Sequence, residues 1–123
     1  VNAGHPAGLV VARNGTIRRL EEGGLLLGVD PAAAYQVGAE SFEPGEVLLL
    51  YSDGVTDVLN GEDEDYGTKR LETLLPRLAH LPGAAILENV IASVEAFVGG
   101  SLPDDITLLV AKFVPPAPRP RPV

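Results

Sequence analysis

Three groups of carboxylates stand where they could do chemistry. Ser52-Asp53-Gly54 follows directly on the apolar run EVLLLY (46–51). An acid-rich stretch runs from Asp57 to Asp65, with Glu62, Asp63, Glu64 and Asp65 in succession. Asp104-Asp105 stands directly before the apolar run ITLLVAKFV (106–114). Taken singly, each has an ordinary explanation. Asp-Gly after a strand makes a turn. Glu62–Asp65 reads as a solvated loop turned by Asn60-Gly61, without the oxygen pattern and glycine spacing of an EF-hand. Asp104 could cap a turn or end a strand. The first and third groups say more together. If the two apolar runs are neighbouring antiparallel strands, the exit of one lies beside the entrance of the other, and Asp53 and Asp104 converge at one sheet end. Like charges brought together there are costly unless a cation lies between them. With no Cys and two His in the chain, the ligand set would be oxygen-rich, which favours Mg²⁺ or Mn²⁺ over a structural Zn²⁺.

Other chemistry is scarce. No GxSxG, P-loop or GxGxxG motif occurs. His5, in Asn2-Ala3-Gly4-His5-Pro6, lies near a turn before a strand, where a lone histidine is expected to be hydrogen-bonded and structural. The string Gly54-Val55-Thr56-Asp57-Val58 suits the start of a helix, with Thr56 or Asp57 available as a cap.

The elements that must position these residues are legible in outline. Leu9–Arg13 reads as a strand, Asn14-Gly15 as a hairpin turn and Thr16–Leu20 as the returning strand. Gly23, Gly24 and Gly28 mark a loop around Leu25–Leu27, and Tyr35–Ala39 offers a short alternating strand. Pro44-Gly45 turns the chain into the run 46–51, whose continuous apolarity predicts a strand buried on both faces. The period then changes. Leu71, Leu74, Leu75 and Leu78 follow helical spacing, with Pro76 predicting a kink or break. Ile86, Val90, Val94 and Phe97, widened by Leu87, Ile91 and Val98, predict a second amphipathic helix that begins after Pro82-Gly83 and ends at Gly99-Gly100. Residues 106–114 return to strand character. The order β-rich, then two helices, then a strand predicts an α+β fold rather than alternating βαβ units.

The chain has 123 residues, 46% of them hydrophobic and 21% charged. That composition is too apolar for a disordered chain. No stretch approaches the roughly 20 apolar residues that span a bilayer, so direct membrane contact from this segment is not expected. The absence of Cys excludes a disulfide scaffold and thiolate chemistry. Seventeen acids against nine bases give a formal charge of −8. Arg119 and Arg121 lie in the Pro-rich tail, so residues 1–114 hold seventeen acids and seven bases, or −10. So acidic a surface repels nucleic-acid phosphates and anionic lipid. The tail PPAPRPRPV (115–123) lacks the donors for a helix or ladder and reads as extended, polyproline-II-like or disordered. The chain begins with Val and has no Met, so a fragment is expected, with the true N-terminus upstream.

NAGHP near a strand, PGEVLLLYSDGVTDVLN and GGSLPDDITLLVAKF, in that order, resemble the metal-dependent (PPM-type) protein serine/threonine phosphatases. The branch is the bacterial one typified by sporulation stage II protein E and the sigma-factor-regulating stress phosphatases. LLLGVD and YGTKRL also look like that branch, and the resemblance runs from Val1 to Val114. It implies a sandwich of two antiparallel sheets flanked by helices (α/β/β/α), of which residues 1–114 would be the C-terminal part and 115–123 a disordered tail. It implies two Mn²⁺ or Mg²⁺ ions, whose water attacks phosphorus with no side-chain nucleophile. Matched position by position, Asp53 of the DG motif and Asp104 of the D-[ND]-x-T motif would bind metal. Asp105, where Asn is common, and Asp57 would be auxiliary ligands or groups that orient the ligands. Gly54 would give the turn room. His5, where other members carry Asp, is not assigned to metal.

The resemblance further implies a cytoplasmic enzyme acting on phosphoserine or phosphothreonine of a regulatory protein, of the anti-sigma-factor antagonist type. Asn60–Leu81 would be a loop-plus-helix element open to partner contact. The family's upstream metal-binding aspartates have no counterpart here, so the chain alone is expected to bind metal weakly and to show little or no activity. Two alternatives stay open: a catalytically incomplete phosphatase-like interaction module, and a cation-binding acidic loop over 53–65 unrelated to phosphatases.

Overall fold

The structure is a computed structural model that describes residues 1–103 and 105–122. Its elements are β1 (Asn2–Ala3), β2 (Gly8–Val11), β3 (Ile17–Leu20), β4 (Gly23–Gly24), β5 (Val47–Tyr51), α1 (Asp53–Thr56), α2 (Thr68–Leu78), α3 (Gly83–Val98) and β6 (Leu108–Lys112). The fold is α+β. Its main sheet has the order β3-β2-β5-β6, with every neighbour antiparallel. A second, minimal sheet pairs β1 with β4 in parallel. A Cβ at Gly23 would overlap the Asn2 carbonyl, so only glycine allows this close pairing. The glycines expected to mark only a loop therefore also supply a strand pair.

The β2–β3 hairpin forms where Asn14-Gly15 predicts it. Gly15 adopts φ +87°, its N–H donates to the Ala12 carbonyl at 2.9 Å, and the Asn14 Oδ1 accepts from the Thr16 N–H at 3.0 Å. Both helices lie against one face of the sheet. Alternate strand residues Leu9, Val11, Val47, Leu49 and Tyr51 meet Leu71, Leu75 and Leu78 of α2 and Ile86, Val90 and Val94 of α3 in one core. The helical spacings follow the period of 3.6. Gly99 ends α3 in the left-handed conformation, its N–H on the Glu95 carbonyl at 2.9 Å.

Three expectations are corrected. Strand β5 is buried on one face rather than both: Val47, Leu49 and Tyr51 are in the core, while Leu50 is 37% exposed. The helices cover only one side of the sheet, so an apolar run need not be enclosed twice. Tyr35–Ala39 forms no strand. Among the described residues it is tied to another segment by one backbone bond, from Gln36 N–H to the Gly23 carbonyl, and Val37 is 81% exposed. Pro76 does not break α2, which runs on to Leu78. It falls in the last turn, where the missing N–H costs one carbonyl its partner and little follows to be disrupted. Residues 115–122 are exposed and carry no helix or strand.

Two polar ties hold the frame. Arg18 of β3 donates from Nη1 and Nη2 to the two carboxylate oxygens of Glu46, at 3.0 and 3.1 Å, and Nε bonds Glu40. Glu46 is buried at 5% exposure and also accepts the Glu43 N–H at 3.1 Å. Arg18, then that N–H, hold its carboxyl below the usual carboxylate range. At the other edge, Lys112 Nζ donates to the Ala79 and Leu81 carbonyls, both at 2.8 Å, capping the end of α2 from β6.

A carboxyl whose folded pKa is depressed stabilises the fold above its unfolded pKa of about 4.3, and loses that contribution as pH falls through the folded value. Glu46→Gln is therefore expected to lower the melting temperature at pH 7 and to differ less from the parent at acid pH, once the Glu46 carboxyl is protonated in the folded state. An equal loss at both pH values would show that charge is not the cause. Leu71→Ala, at a fully buried position, is expected to cost about 2–5 kcal/mol in urea unfolding.

Candidate metal site at the β5–β6 sheet end

Strand β5 ends at Tyr51, paired with Leu108 of β6. The chain continues extended through Ser52 and turns into the four-residue helix α1 at Asp53. Val55, fully buried, anchors this turn to the core. Across the gap, Ser52 N–H donates to the Thr107 carbonyl at 2.9 Å, and Thr107 N–H donates to Ser52 Oγ at 3.0 Å. Ser52 Oγ donates in turn to the Asp105 carbonyl at 3.2 Å. Gly54 sits against the same residue. A Cβ there would stand 2.7 Å from the Asp105 carbonyl oxygen and 3.3 Å from its carboxyl carbon. The need here is space, since Gly54 has no positive φ.

The exit of β5 and the entrance of β6 thus lie side by side. Asp53, first residue of α1, and Asp105 are both exposed at that end. Asp57 caps the C-terminus of α1, its N–H on the Asp53 carbonyl at 2.8 Å. The cap expected of Thr56 or Asp57 at the start of this helix falls instead to Ser52 by position, without a side-chain cap bond, while Thr56 Oγ1 donates back to the Asp53 carbonyl at 3.3 Å. Asp104 lies outside the described residues. Among the described residues, no Lys, Arg or His forms an ion pair with Asp53, Asp57 or Asp105. The donors are all hard oxygens, the type Mg²⁺ and Mn²⁺ prefer. No group of three or more His, Asp or Glu able to hold a metal occurs among the described residues.

The acid-rich loop is organised differently. Asn60 Oδ1 accepts from the N–H groups of Glu62 and Glu64 at 2.8 and 3.0 Å, and its Nδ2 donates to Glu64 Oε2 at 3.1 Å. Glu62–Asp65 stay exposed. The far side of the loop is pinned. Tyr66, 1% exposed, bonds Ser93 Oγ at 2.8 Å, and Arg70 donates to the Asp65 and Tyr66 carbonyls while its guanidinium lies 4.4 Å over the Phe97 ring. His5 is exposed, its N–H and carbonyl both bonded to the Asn2 side chain, as expected of a turn residue. The structural work of Ser52 and Thr107 does not follow from the sequence. Both lie inside the motifs SDG and DDIT, but a hydroxyl's partner across two strands leaves no local pattern.

The arrangement can be set beside known proteins. The chain is 32% identical over 111 residues to Protein IcfG of Synechocystis sp., covering 89% of this chain and 17% of that protein. It is 28% identical over 112 residues to Phosphoserine phosphatase RsbU of Bacillus subtilis, covering 90% and 33%. The chain thus spans a third or less of these relatives. Among solved structures, the SiaA-PP2C domain of Pseudomonas aeruginosa superposes with a TM-score of 0.71 at 20% identity, covering 87% of this chain and 43% of that one. The phosphatase domain of SpoIIE from Bacillus subtilis gives 0.71 at 17%, covering 95% and 50%. The RsbU and RsbW domains of Rv1364c from Mycobacterium tuberculosis give 0.68 at 26%, covering 95% and 32%. The fold is that of part of the SiaA-PP2C domain and of the SpoIIE phosphatase domain. Residues 1–114 match the family model described as stage II sporulation protein E, and the chain belongs to that family, SpoIIE.

Proposed function

We propose that residues 1–114 supply part of a metal-dependent phosphatase domain that hydrolyses phosphoserine or phosphothreonine on a regulatory protein in the cytoplasm, with an anti-sigma-factor antagonist as the substrate type. Residues 115–123 are proposed to be a disordered tail outside that domain. The observation that carries this reading is the antiparallel pairing of β5 and β6, which brings Asp53 and Asp105 to one sheet end, in a chain of the SpoIIE family. Among the described residues, no helix is long and apolar enough to cross a membrane.

In this proposal Asp53 and Asp104 hold divalent cations, Mn²⁺ or Mg²⁺, two in the intact domain. Asp105 and Asp57 serve as auxiliary ligands or orient the others. When bound, such ions supply activation of water at neutral pH and charge neutralisation at the phosphoryl oxygens. The chain's own contribution is to fix the carboxylates at the sheet end, through the buried Val55 on one side and the β6 ladder on the other. The acid loop stays out of this role, its backbone turned by Asn60 Oδ1 and its Glu64 carboxylate held by Asn60 Nδ2.

The test is Mn²⁺-dependent release of phosphate from a phosphoserine peptide by the full-length protein. Asp53→Asn and Asp104→Asn are each expected to lose more than the roughly 10–100-fold that follows loss of a group supporting a ligand, with unchanged circular dichroism. Asp63→Asn and Asp65→Asn are expected to stay near the parent rate. Strong activity in either Asp53→Asn or Asp104→Asn overturns the site. Loop variants as damaged as Asp53→Asn favour the cation-binding loop, and a parent without Mn²⁺-dependent turnover favours the interaction module.

A further inference from the structure

We infer that Ser52 is a positioning residue that fixes the Asp53 turn against the Asp105 segment, an inference that rests on the metal-dependent reading above. The paired strand residues of β5 and β6 end at Tyr51 and Leu108. Beyond them β5 turns into α1 at Asp53, so the carboxylates sit just past the regular ladder. Ser52 bridges that step. Its N–H extends the ladder to the Thr107 carbonyl, and its hydroxyl accepts the Thr107 N–H and donates to the Asp105 carbonyl. A hydroxyl can accept and donate at once. Alanine can do neither, whereas threonine can do both.

Two constraints therefore set the spacing of the sheet end. The bare Cα of Gly54 lets α1 approach Asp105 to a distance that leaves no room for a Cβ. The Ser52 hydroxyl sets where along β6 that approach occurs. Without it, the Thr107 N–H and Asp105 carbonyl can turn to water, because this rim is solvent-exposed, so the loss of fold stability is small. Geometry suffers more. Metal ligands must be held to within about 0.5 Å of their productive positions.

Mn²⁺ titration of the full-length protein by calorimetry, with thermal unfolding of the same samples, tests this. Ser52→Ala is expected to weaken Mn²⁺ binding by roughly 10–100-fold with little change in melting temperature, and Ser52→Thr to restore it. Parent-like Mn²⁺ affinity in Ser52→Ala, while Asp53→Asn is weakened, overturns the role of Ser52 and leaves the metal reading standing. Parent-like affinity in Asp53→Asn overturns both. Weakening that Ser52→Thr fails to restore places the cause in packing rather than the hydroxyl, and also overturns it.

Discussion

The antiparallel pairing of β5 with β6 joins strand residues that stand 57 to 65 positions apart in the sequence. It runs in unbroken register from Val47 opposite Lys112 to Tyr51 opposite Leu108. Backbone bonds extend it at both ends, from Phe113 N–H to the Glu46 carbonyl and from Ser52 N–H to the Thr107 carbonyl. The whole stretch of loop and helix between the two strands is closed by this ladder, and closing so long a loop is entropically unfavourable. Core burial on the helix-covered face compensates. A one-residue slip of β6 would turn Val110 away from that face, so the hydrophobic pattern also fixes which residues stand at the sheet end.

The two ends of this ladder are chemically opposite. At the Lys112 end, the ammonium is consumed by carbonyls at the close of α2, and Phe113 stacks on Phe42 with centroids 4.3 Å apart. At the Asp53 end, the rim is exposed and acidic, and among the described residues no cation pairs with it. Polar and aromatic contacts close one end, while carboxylates remain available at the other. The loop between α1 and α2 keeps its acids in solvent because Tyr66 and Arg70 anchor its far side, with Tyr66 edge-on to Phe97 and Arg70 over the same ring.

Much of the frame is legible in local sequence. The Asn14-Gly15 hairpin, the turn at Pro44-Gly45, both helices and the final strand stand close to where turn chemistry and hydrophobic period put them. Three of the failures share a cause. Tyr35–Ala39 alternates like a strand, but strand formation needs a partner edge, and alternation says nothing of one. The run 46–51 is apolar on both faces, yet the helices pack on only one. Gly23-Gly24 reads as part of a loop, while the close approach of Asn2 gives it a pairing partner. Each of these three concerns a neighbour distant in sequence, whereas Pro76 and the α1 cap differ from expectation in their local position within a helix.

The same division holds at the candidate site. Residue types and strand context alone established that Asp53 leaves one apolar run and Asp104-Asp105 enters another, because apolar periodicity and breaker residues are local properties of the chain. Whether those runs are neighbours, and antiparallel, was a condition that local sequence could not settle. Tertiary structure decided it for Asp53 and Asp105, and with it the contact of Gly54 on Asp105 and the bridge of Ser52 to Thr107. Hydrogen bonds across 53 and 55 residues of sequence depend on sheet order and register, which arise from the packing of the whole core.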